Sequence, residues 1–188
     1  MRTAFKEWAL VCRALATGRQ ILILRKGGII EEGGVFRPDH PQFVLFPTYS
    51  HQLLDSVVPD ARVDFEELER EMPDAGTIVF RHTAAVSAVV RLDSLEAVHA
   101  LRGEHIWSDD VVEDRFFRWK DHSVWAMIVR VSALAQPVVV ELREEYTGCK
   151  SWVSLEEEIP TGTGVPVIPP EEQLRREKAI LVRLAGER

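Results

Sequence analysis

The spacing of apolar positions divides the first half of the chain into helical and extended segments. Residues 4–17 place apolar side chains three to four positions apart, which predicts a helix with one buried face, and Gly18 follows as its terminator. The next segment, QILILR (residues 20–25), is apolar on both faces, as is typical of a central strand. FVLF (residues 43–46) predicts a second buried strand, and residues 64–72 predict a solvated helix.

The second half predicts longer strands with short helices between them. Strands are predicted at residues 77–92, 124–134 and 138–143. Short helices are predicted at residues 95–101 and 108–119. Helices and strands do not alternate strictly, as a doubly wound fold requires. The sequence therefore predicts an α+β fold with a mixed or antiparallel sheet, short flanking helices and a C-terminal helix.

A change in composition near residue 156 separates the last part of the chain. Residues 1–155 form a single predicted α+β domain, and residues 156–170 form a Pro/Gly-rich linker without periodicity. Residues 171–188 predict a C-terminal helical appendage with an apolar stripe. This helix either packs back on the domain or binds a partner, and the sequence favours neither.

The chain is acidic, with a formal charge of −7 from 23 basic and 30 acidic residues. This charge argues against broad, non-specific binding to nucleic acid or to an anionic membrane. The charge is uneven, because residues 1–30 hold six cations and a single acid, so a local anion site is compatible with it. With two cysteines, no secretory signal and no apolar run long enough to cross a membrane, we expect a cytoplasmic protein.

The most basic point of the chain is Arg25-Lys26-Gly27-Gly28, at the end of a predicted strand. Adjacent cations supply charge and the glycines allow a close approach of the backbone, which together favour an anion site. The glycine spacings of a P-loop and of a dinucleotide-binding turn are both missing. A hairpin turn with solvated cations explains the same residues equally well.

A second polar segment, FPTYSHQ (residues 46–52), directly follows a predicted buried strand. Thr48 and Gln52 are predicted binding residues, because loops at strand ends often carry function. His51 is a candidate acid–base group that would act with a carboxylate such as Glu7 or Glu31. The alternative interpretation is the capped N-terminus of a short helix, with Thr48 or Ser50 as the cap.

A third segment, YTGCKSW (residues 146–152), combines rings, hydroxyls and a cation. Tyr146 or Trp152 would stack on a base, while Lys150 and Ser151 would bind phosphate. The six histidines are scattered without metal-ligand spacing, so no metal site is predicted and no cofactor is identified. Residues 105–125 mix aromatic and basic side chains, but a buried core with a solvated helix face explains them better.

Six separated motifs within residues 5–155 resemble one family. They are EWALVCRAL, ILILRKGGIIEEGGVF, FVLFPTYSHQ, HIWS with RFFRW, RVSAL, and YTGCKSW. The resemblance is to an uncharacterised prokaryotic family, the domain of unknown function numbered eighteen-hundred-and-two. Some relatives are associated with a restriction-endonuclease-like domain, which implies a role in DNA restriction or modification. The order of elements is also loosely similar to PUA-like barrels, partly open barrels that bind RNA or modified bases.

Three hypotheses for the function follow from these patterns. The preferred one is a nucleic-acid- or nucleotide-binding module in which Arg25, Lys26 and Lys150 hold phosphate. The second is a hydrolase or nuclease that uses His51 with a nearby carboxylate. The third is a structural protein whose C-terminal helix recruits a partner. Convergence of the three polar segments in the folded chain is the observation that would most sharpen this choice.

Overall fold

The computed structural model describes residues 1–26, 31–32, 35–36, 40–50, 52–118, 120–148 and 150–186, with the backbone alone at residues 31–32 and 35–36. The strands are β1 (Thr3–Trp8), β2 (Leu22–Arg25), β3 (Glu31–Glu32), β4 (Val35–Phe36), β5 (Gln42–Thr48), β6 (Thr77–Leu92), β7 (Val124–Glu141), β8 (Trp152–Ser154) and β9 (Val165–Pro166). The helices are α1 (Ala9–Ala16), α2 (Asp64–Arg70), α3 (Leu95–His99), α4 (Asp109–Phe117) and α5 (Pro170–Gly186). None of the helices in these ranges is both long and apolar enough to cross a membrane.

Seven of the strands form one mixed sheet in the order β2-β7-β6-β5-β1-β8, with β9 paired to β7. β1 and β5 are parallel, so that Glu7 lies beside Pro47, and the other pairings in this sheet are antiparallel. β3 and β4 form a separate antiparallel ribbon. The sheet is open, because its end strands, β2 and β8, do not pair with each other in the described ranges. The predicted α+β class with a mixed sheet is therefore confirmed.

The helix predicted over residues 4–17 is wrong in its first half, which forms strand β1. Phe5 and Glu7 are buried, and the strand pairs with β5 on one side and with β8 on the other. Backbone pairing on both edges outweighs a weak local preference for helix. Helix α1 begins at Ala9, directly after the strand, so Glu7 stands next to a helix N-terminus.

A long antiparallel hairpin of β6 and β7 forms the centre of the sheet. β7 is one strand instead of the two predicted, because it continues through Pro137. The residues of β7 that pair with β6 include Ala133 and Val138 but none between them, so Pro137 lies in a stretch of β7 that does not pair with β6. Proline, which has no backbone N–H, is tolerated in strands at such irregular positions.

The buried apolar side chains form two separate cores, which lie on opposite faces of the sheet at β5. The larger core includes side chains of all five helices together with Phe43 and Leu45 of β5, and the smaller core holds Val44, Phe46 and Tyr146. This alternation along β5 follows the two-residue period of a strand. Each fully buried large side chain contributes about 1.5–3 kcal/mol to folding.

The C-terminal helix α5 packs back on the sheet. Ile180 and Leu184 are buried in the larger core. The Glu177 side chain is 8% exposed, and each of its oxygens accepts a 2.8 Å hydrogen bond from Arg130 of β7. Gln173 donates both to Glu177 and to a backbone carbonyl of β7. The hydrogen bonds that Glu177 accepts, mainly those from Arg130 and then that from Gln173, lower its pKa.

Replacing Glu177 by Ala should lower the free energy of unfolding by about 1–3 kcal/mol, because partly buried charge-assisted hydrogen bonds from Arg130 are lost. Urea denaturation at pH 7 measures the change, and hydrogen exchange reports whether α5 opens. The control is Lys178→Ala, since Lys178 is exposed on the same helix and its loss should change stability by less than about 0.5 kcal/mol. Equal stability of wild type and the Glu177→Ala variant would contradict the anchoring role.

Candidate functional site

The three polar segments identified in the sequence meet at one cleft of about 650 Å³. Arg25 reaches it from the end of β2, Thr48 from the end of β5, and Lys150 and Ser151 from the turn before β8. Because β1 and β5 are parallel, their C-terminal ends lie at the same end of the sheet, and Glu7 near the end of β1 lies beside the end of β5. The topology thus brings residues from distant parts of the sequence to one site.

A buried ion pair lies in the cleft. The Glu7 side chain is 2% exposed, and its Oε2 accepts a 3.3 Å hydrogen bond from the Arg25 guanidinium. Its Oε1 accepts another, of 2.9 Å, from the backbone N–H of Trp8. Arg25 also donates to the Ser151 hydroxyl and lies 4.9 Å from the centroid of the Phe5 ring. These contacts hold the Arg25 guanidinium in one position.

A second arginine, Arg115 of α4, lines the same cleft. Its guanidinium lies 3.8 Å from the centroid of the Trp107 ring and donates a 3.2 Å hydrogen bond to the carbonyl of Leu24. Burial lowers the pKa of Arg115 to about 10, an effect that the Glu7 carboxylate opposes and the Arg25 charge reinforces. Arg115 therefore stays protonated at neutral pH.

Two lysines add to the positive charge of the cleft. The Lys6 ammonium donates a 3.1 Å hydrogen bond to the carbonyl of Gly148, and the Lys150 ammonium donates one of 3.2 Å to the carbonyl of Glu145. The described lining of the cleft holds four cations and one acid, Glu7, which is a formal charge of +3. The whole chain, by contrast, carries −7. The cleft is a cationic site in an acidic protein.

Two predicted binding residues, Lys26 and Trp152, lie outside the described lining of this cleft. The Lys26 ammonium donates to three backbone carbonyls in residues 116–123, and its pKa is lowered mainly by burial. The Trp152 ring packs edge-on against the rings of Phe5 and Phe43 in the larger core. These contacts stabilise the fold around the cleft.

Three other predicted binding residues also make contacts within the fold. Gln52 accepts a 2.9 Å hydrogen bond from the backbone N–H of Leu10 in the first turn of α1. The Thr48 hydroxyl donates a 3.1 Å hydrogen bond to the carbonyl of Glu7. Tyr146 is fully buried, and its hydroxyl is hydrogen-bonded to residues 156–157. Of these three residues, Thr48 and Tyr146 line the cleft.

Several predicted site residues lie outside the part of the chain that the structure describes. These are Gly27, Gly28 and His51, and for Glu31 the backbone alone is described, in β3. An acid–base pair of His51 with a carboxylate therefore stays a prediction. Within the described ranges, no group of three or more His, Cys, Asp or Glu side chains could hold a metal ion.

Lys6 and Arg115 line the cleft although they were not selected as site residues from the sequence. Lys6 was assigned to a helix, where its neighbours in space would be three or four positions away. Burial at Phe5 and Glu7 with Lys6 between them is the pattern of a strand, but because Glu7 is charged the sequence shows no apolar–polar alternation there. Arg115 falls in the aromatic and basic segment that was interpreted as core.

The fold and the site define an α+β domain with an open mixed sheet and a cationic cleft beside its two parallel strands. The chain belongs to the family Domain of unknown function (DUF1802), which matches residues 4–179. This match confirms the family predicted from the motifs. It also extends beyond residue 155, through the Pro/Gly-rich segment and into α5.

No curated protein matches the chain. Among solved structures, the chain is similar to ASCH from Zymomonas mobilis, with 13% identity, coverage of 94% of this chain and 93% of that chain, and a TM-score of 0.49. It is also similar to two mutant proteins of the same Zymomonas mobilis ASCH, with 11% and 14% identity. These cover 95% and 94% of this chain and 94% and 96% of theirs, each with a TM-score of 0.47.

Proposed function

We propose that the cleft binds nucleic acid or a nucleotide. Arg25, Arg115, Lys6 and Lys150 would hold phosphate, and an aromatic ring of the lining would stack on a base. The observation that carries the proposal is the convergence of these four cations on one cleft of an otherwise acidic protein. A link to DNA restriction or modification, which the family resemblance implies, would make DNA the ligand.

Phosphate is the anion that suits this arrangement. Arg25 and Arg115 are partly buried, and a guanidinium presents planar, paired donors to phosphate oxygens. A cleft that concentrates one sign of charge raises the local concentration of the opposite ion and speeds association. Lys6 and Lys150 would add attraction over a longer range, which salt would screen.

Apolar side chains in the same lining suit a base. Trp8, Phe46 and Tyr49 line the cleft together with the cations. Stacking of a base on an aromatic ring is worth about 1–3 kcal/mol and tolerates every base. Tyr146 is fully buried and its hydroxyl is already hydrogen-bonded, so Tyr49, which is partly exposed, is the better placed ring.

Lys150→Ala should weaken binding of a fluorescein-labelled single-stranded oligonucleotide about three- to tenfold at low salt, because one phosphate contact is lost. The slope of log K against log salt should become flatter by about 0.7. Adding Lys6→Ala to the Lys150→Ala variant should lower the affinity and flatten the salt slope again by similar amounts. Fluorescence anisotropy measures the affinity and its salt slope between 25 and 200 mM salt, roughly the range over which binding through phosphate contacts weakens.

The matched control for this experiment is Lys178→Ala, which removes the same charge from an exposed position on α5. It should leave the affinity and the salt slope unchanged within about a factor of two. Wild-type protein that binds neither RNA nor DNA at low salt would contradict the proposed function. Equal losses in the Lys150→Ala and Lys178→Ala variants would place the binding elsewhere.

A hydrolase that uses Glu7 is the second candidate function. It is favoured by one observation, a nearly fully buried carboxylate that lines the same cleft as the cations. If this candidate is correct, Glu7→Gln should abolish turnover of an oligonucleotide while the affinity stays within about threefold of wild type. Gel analysis of product, together with anisotropy, would show both. Unchanged turnover in the Glu7→Gln variant would exclude Glu7 as the catalytic group.

A further inference from the structure

A second cavity adjoins the cationic cleft. It has a volume of about 350 Å³ and shares the lining residues Pro47 and Tyr49 with the cleft. Along β6, residues 77–78 line the cleft, and Val79 and Arg81 immediately beyond them line the second cavity. The two spaces are therefore neighbours along β5 and β6 and share Tyr49, which directly follows β5.

The second cavity has a cationic group of its own. Arg81 is exposed there and forms no salt bridge with a side chain in the described part of the chain. Arg13, in the same lining, is instead held by the carboxylates of Asp64, Glu67 and Glu71. Arg81 is thus the lining arginine that the fold does not neutralise.

The remaining polar groups of the second cavity do not oppose an anion strongly. Burial, and then the charge of Arg81, lowers the pKa of His82, so this ring is neutral near pH 7. Glu71 lies in the lining as well, but it is paired with Arg13. The described lining of the second cavity holds two cations, Arg13 and Arg81, and one acid, Glu71, which is a formal charge of +1, and Arg81 is the cation without a salt bridge among the described residues.

We propose that the two cavities form one groove for a single strand of nucleic acid instead of a free nucleotide. One nucleotide occupies the cationic cleft, the chain passes the ring of Tyr49, and Arg81 binds the next phosphate. A ring that lines both spaces can stack on a base from either side, which requires bases that are not paired in a duplex. This inference rests on the proposed function of the cleft.

The test compares a 5′-mononucleotide, a dinucleotide and a tetranucleotide, each binding to wild type and to the Arg81→Ala variant. The dinucleotide should bind wild type about tenfold or more tightly than the mononucleotide, because it gains one stacked base and one phosphate contact. Arg81→Ala should weaken the dinucleotide and the tetranucleotide about three- to tenfold and leave the mononucleotide unchanged. Isothermal titration calorimetry at low salt measures all three ligands.

Two control variants separate the possible results. Lys150→Ala should weaken all three ligands, because it acts in the cleft, and Lys178→Ala should weaken none. Binding that depends on Lys150 but not on ligand length, or an equal loss of all ligands in Arg81→Ala, would overturn the strand groove and leave the proposed function intact. No binding that depends on Lys150 with any ligand would overturn both.

Tyr49 provides an independent check on the same groove. Tyr49→Phe keeps the ring and should retain the advantage of the dinucleotide over the mononucleotide. Tyr49→Ala removes the ring and should reduce that advantage about tenfold. Thermal denaturation must show both variants folded at the assay temperature, and equal length dependence in the two folded variants would contradict the stacking role.

Discussion

Replacing Arg25 by Met should lower the free energy of unfolding by about 3–5 kcal/mol, because Glu7 would be left buried without its cation. Met keeps most of the length and the apolar stem of the side chain, so the loss reports mainly on charge. The same variant should lose most of its affinity for a single-stranded oligonucleotide, since Arg25 is a central phosphate donor of the proposed site.

A second substitution separates the structural effect from the binding effect. Adding Glu7→Gln to Arg25→Met removes the uncompensated buried charge, so most of the lost stability should return while the affinity stays low. Urea denaturation and fluorescence anisotropy on the wild type, both single variants and the double variant complete the cycle. Restored binding in the double variant would mean that Arg25 is not a ligand contact. Wild-type stability of Arg25→Met would mean that the pair does not hold the fold together.

The sequence predicts which segments approach the cleft, because each carries polar or cationic side chains directly beside a buried strand. Arg25 ends the apolar run of β2, and Thr48 ends that of β5. Loops and strand ends often carry function, and the fold brings these two ends to one cleft although β2 and β5 run in opposite directions. β2, β5, β6 and β7 are recognisable in the sequence from their apolar runs and β-branched residues, whereas β1 was predicted as helix and the short strands β8 and β9 were not predicted.

The parts that the sequence did not predict depend on partners remote in the chain. The apolar residues Phe5, Trp8 and Cys12 fit a helical spacing, yet pairing with β5 and β8 makes the segment Thr3–Trp8 a strand. Lys26 looks equivalent to Arg25 in sequence. In the structure, however, the Lys26 ammonium binds carbonyls of residues 116–123 and lies outside the described lining of the cleft. The sequence around Lys26 gives no indication of these remote partners.

The buried histidine His105 should make the protein less stable as the pH falls from about 6.5. It is 6% exposed, and neither of its ring nitrogens has a hydrogen-bond partner among the described residues. Burial, reinforced by the charges of Arg115 and Arg102, lowers its pKa to about 4, and the charge of Asp109 opposes this only in part. His105 is therefore neutral in the folded protein at pH values where an unfolded histidine is protonated.

The direction of the pH effect follows from these two protonation states. Above about pH 6.5 the ring is neutral in both the folded and the unfolded chain, so His105 adds no pH dependence. Between pH 6.5 and 4 the unfolded chain binds a proton that the folded chain does not, and stability falls as the pH falls. The expected loss between pH 7 and pH 5 is about 2 kcal/mol. His82, whose pKa is also lowered by burial, contributes in the same direction.

His105→Leu should remove this part of the pH dependence, because the variant has no group to protonate at that position. It also removes two buried nitrogens without partners, so at pH 7 it should be at least as stable as wild type. Urea denaturation at pH 5, 6 and 7 gives the difference in the free energy of unfolding between the variant and the wild type. The titration of all other shared groups cancels in this difference. The difference should grow by about 2 kcal/mol in favour of the variant as the pH falls to 5. A difference that stays constant with pH would show that His105 is protonated in the folded protein as readily as in the unfolded chain.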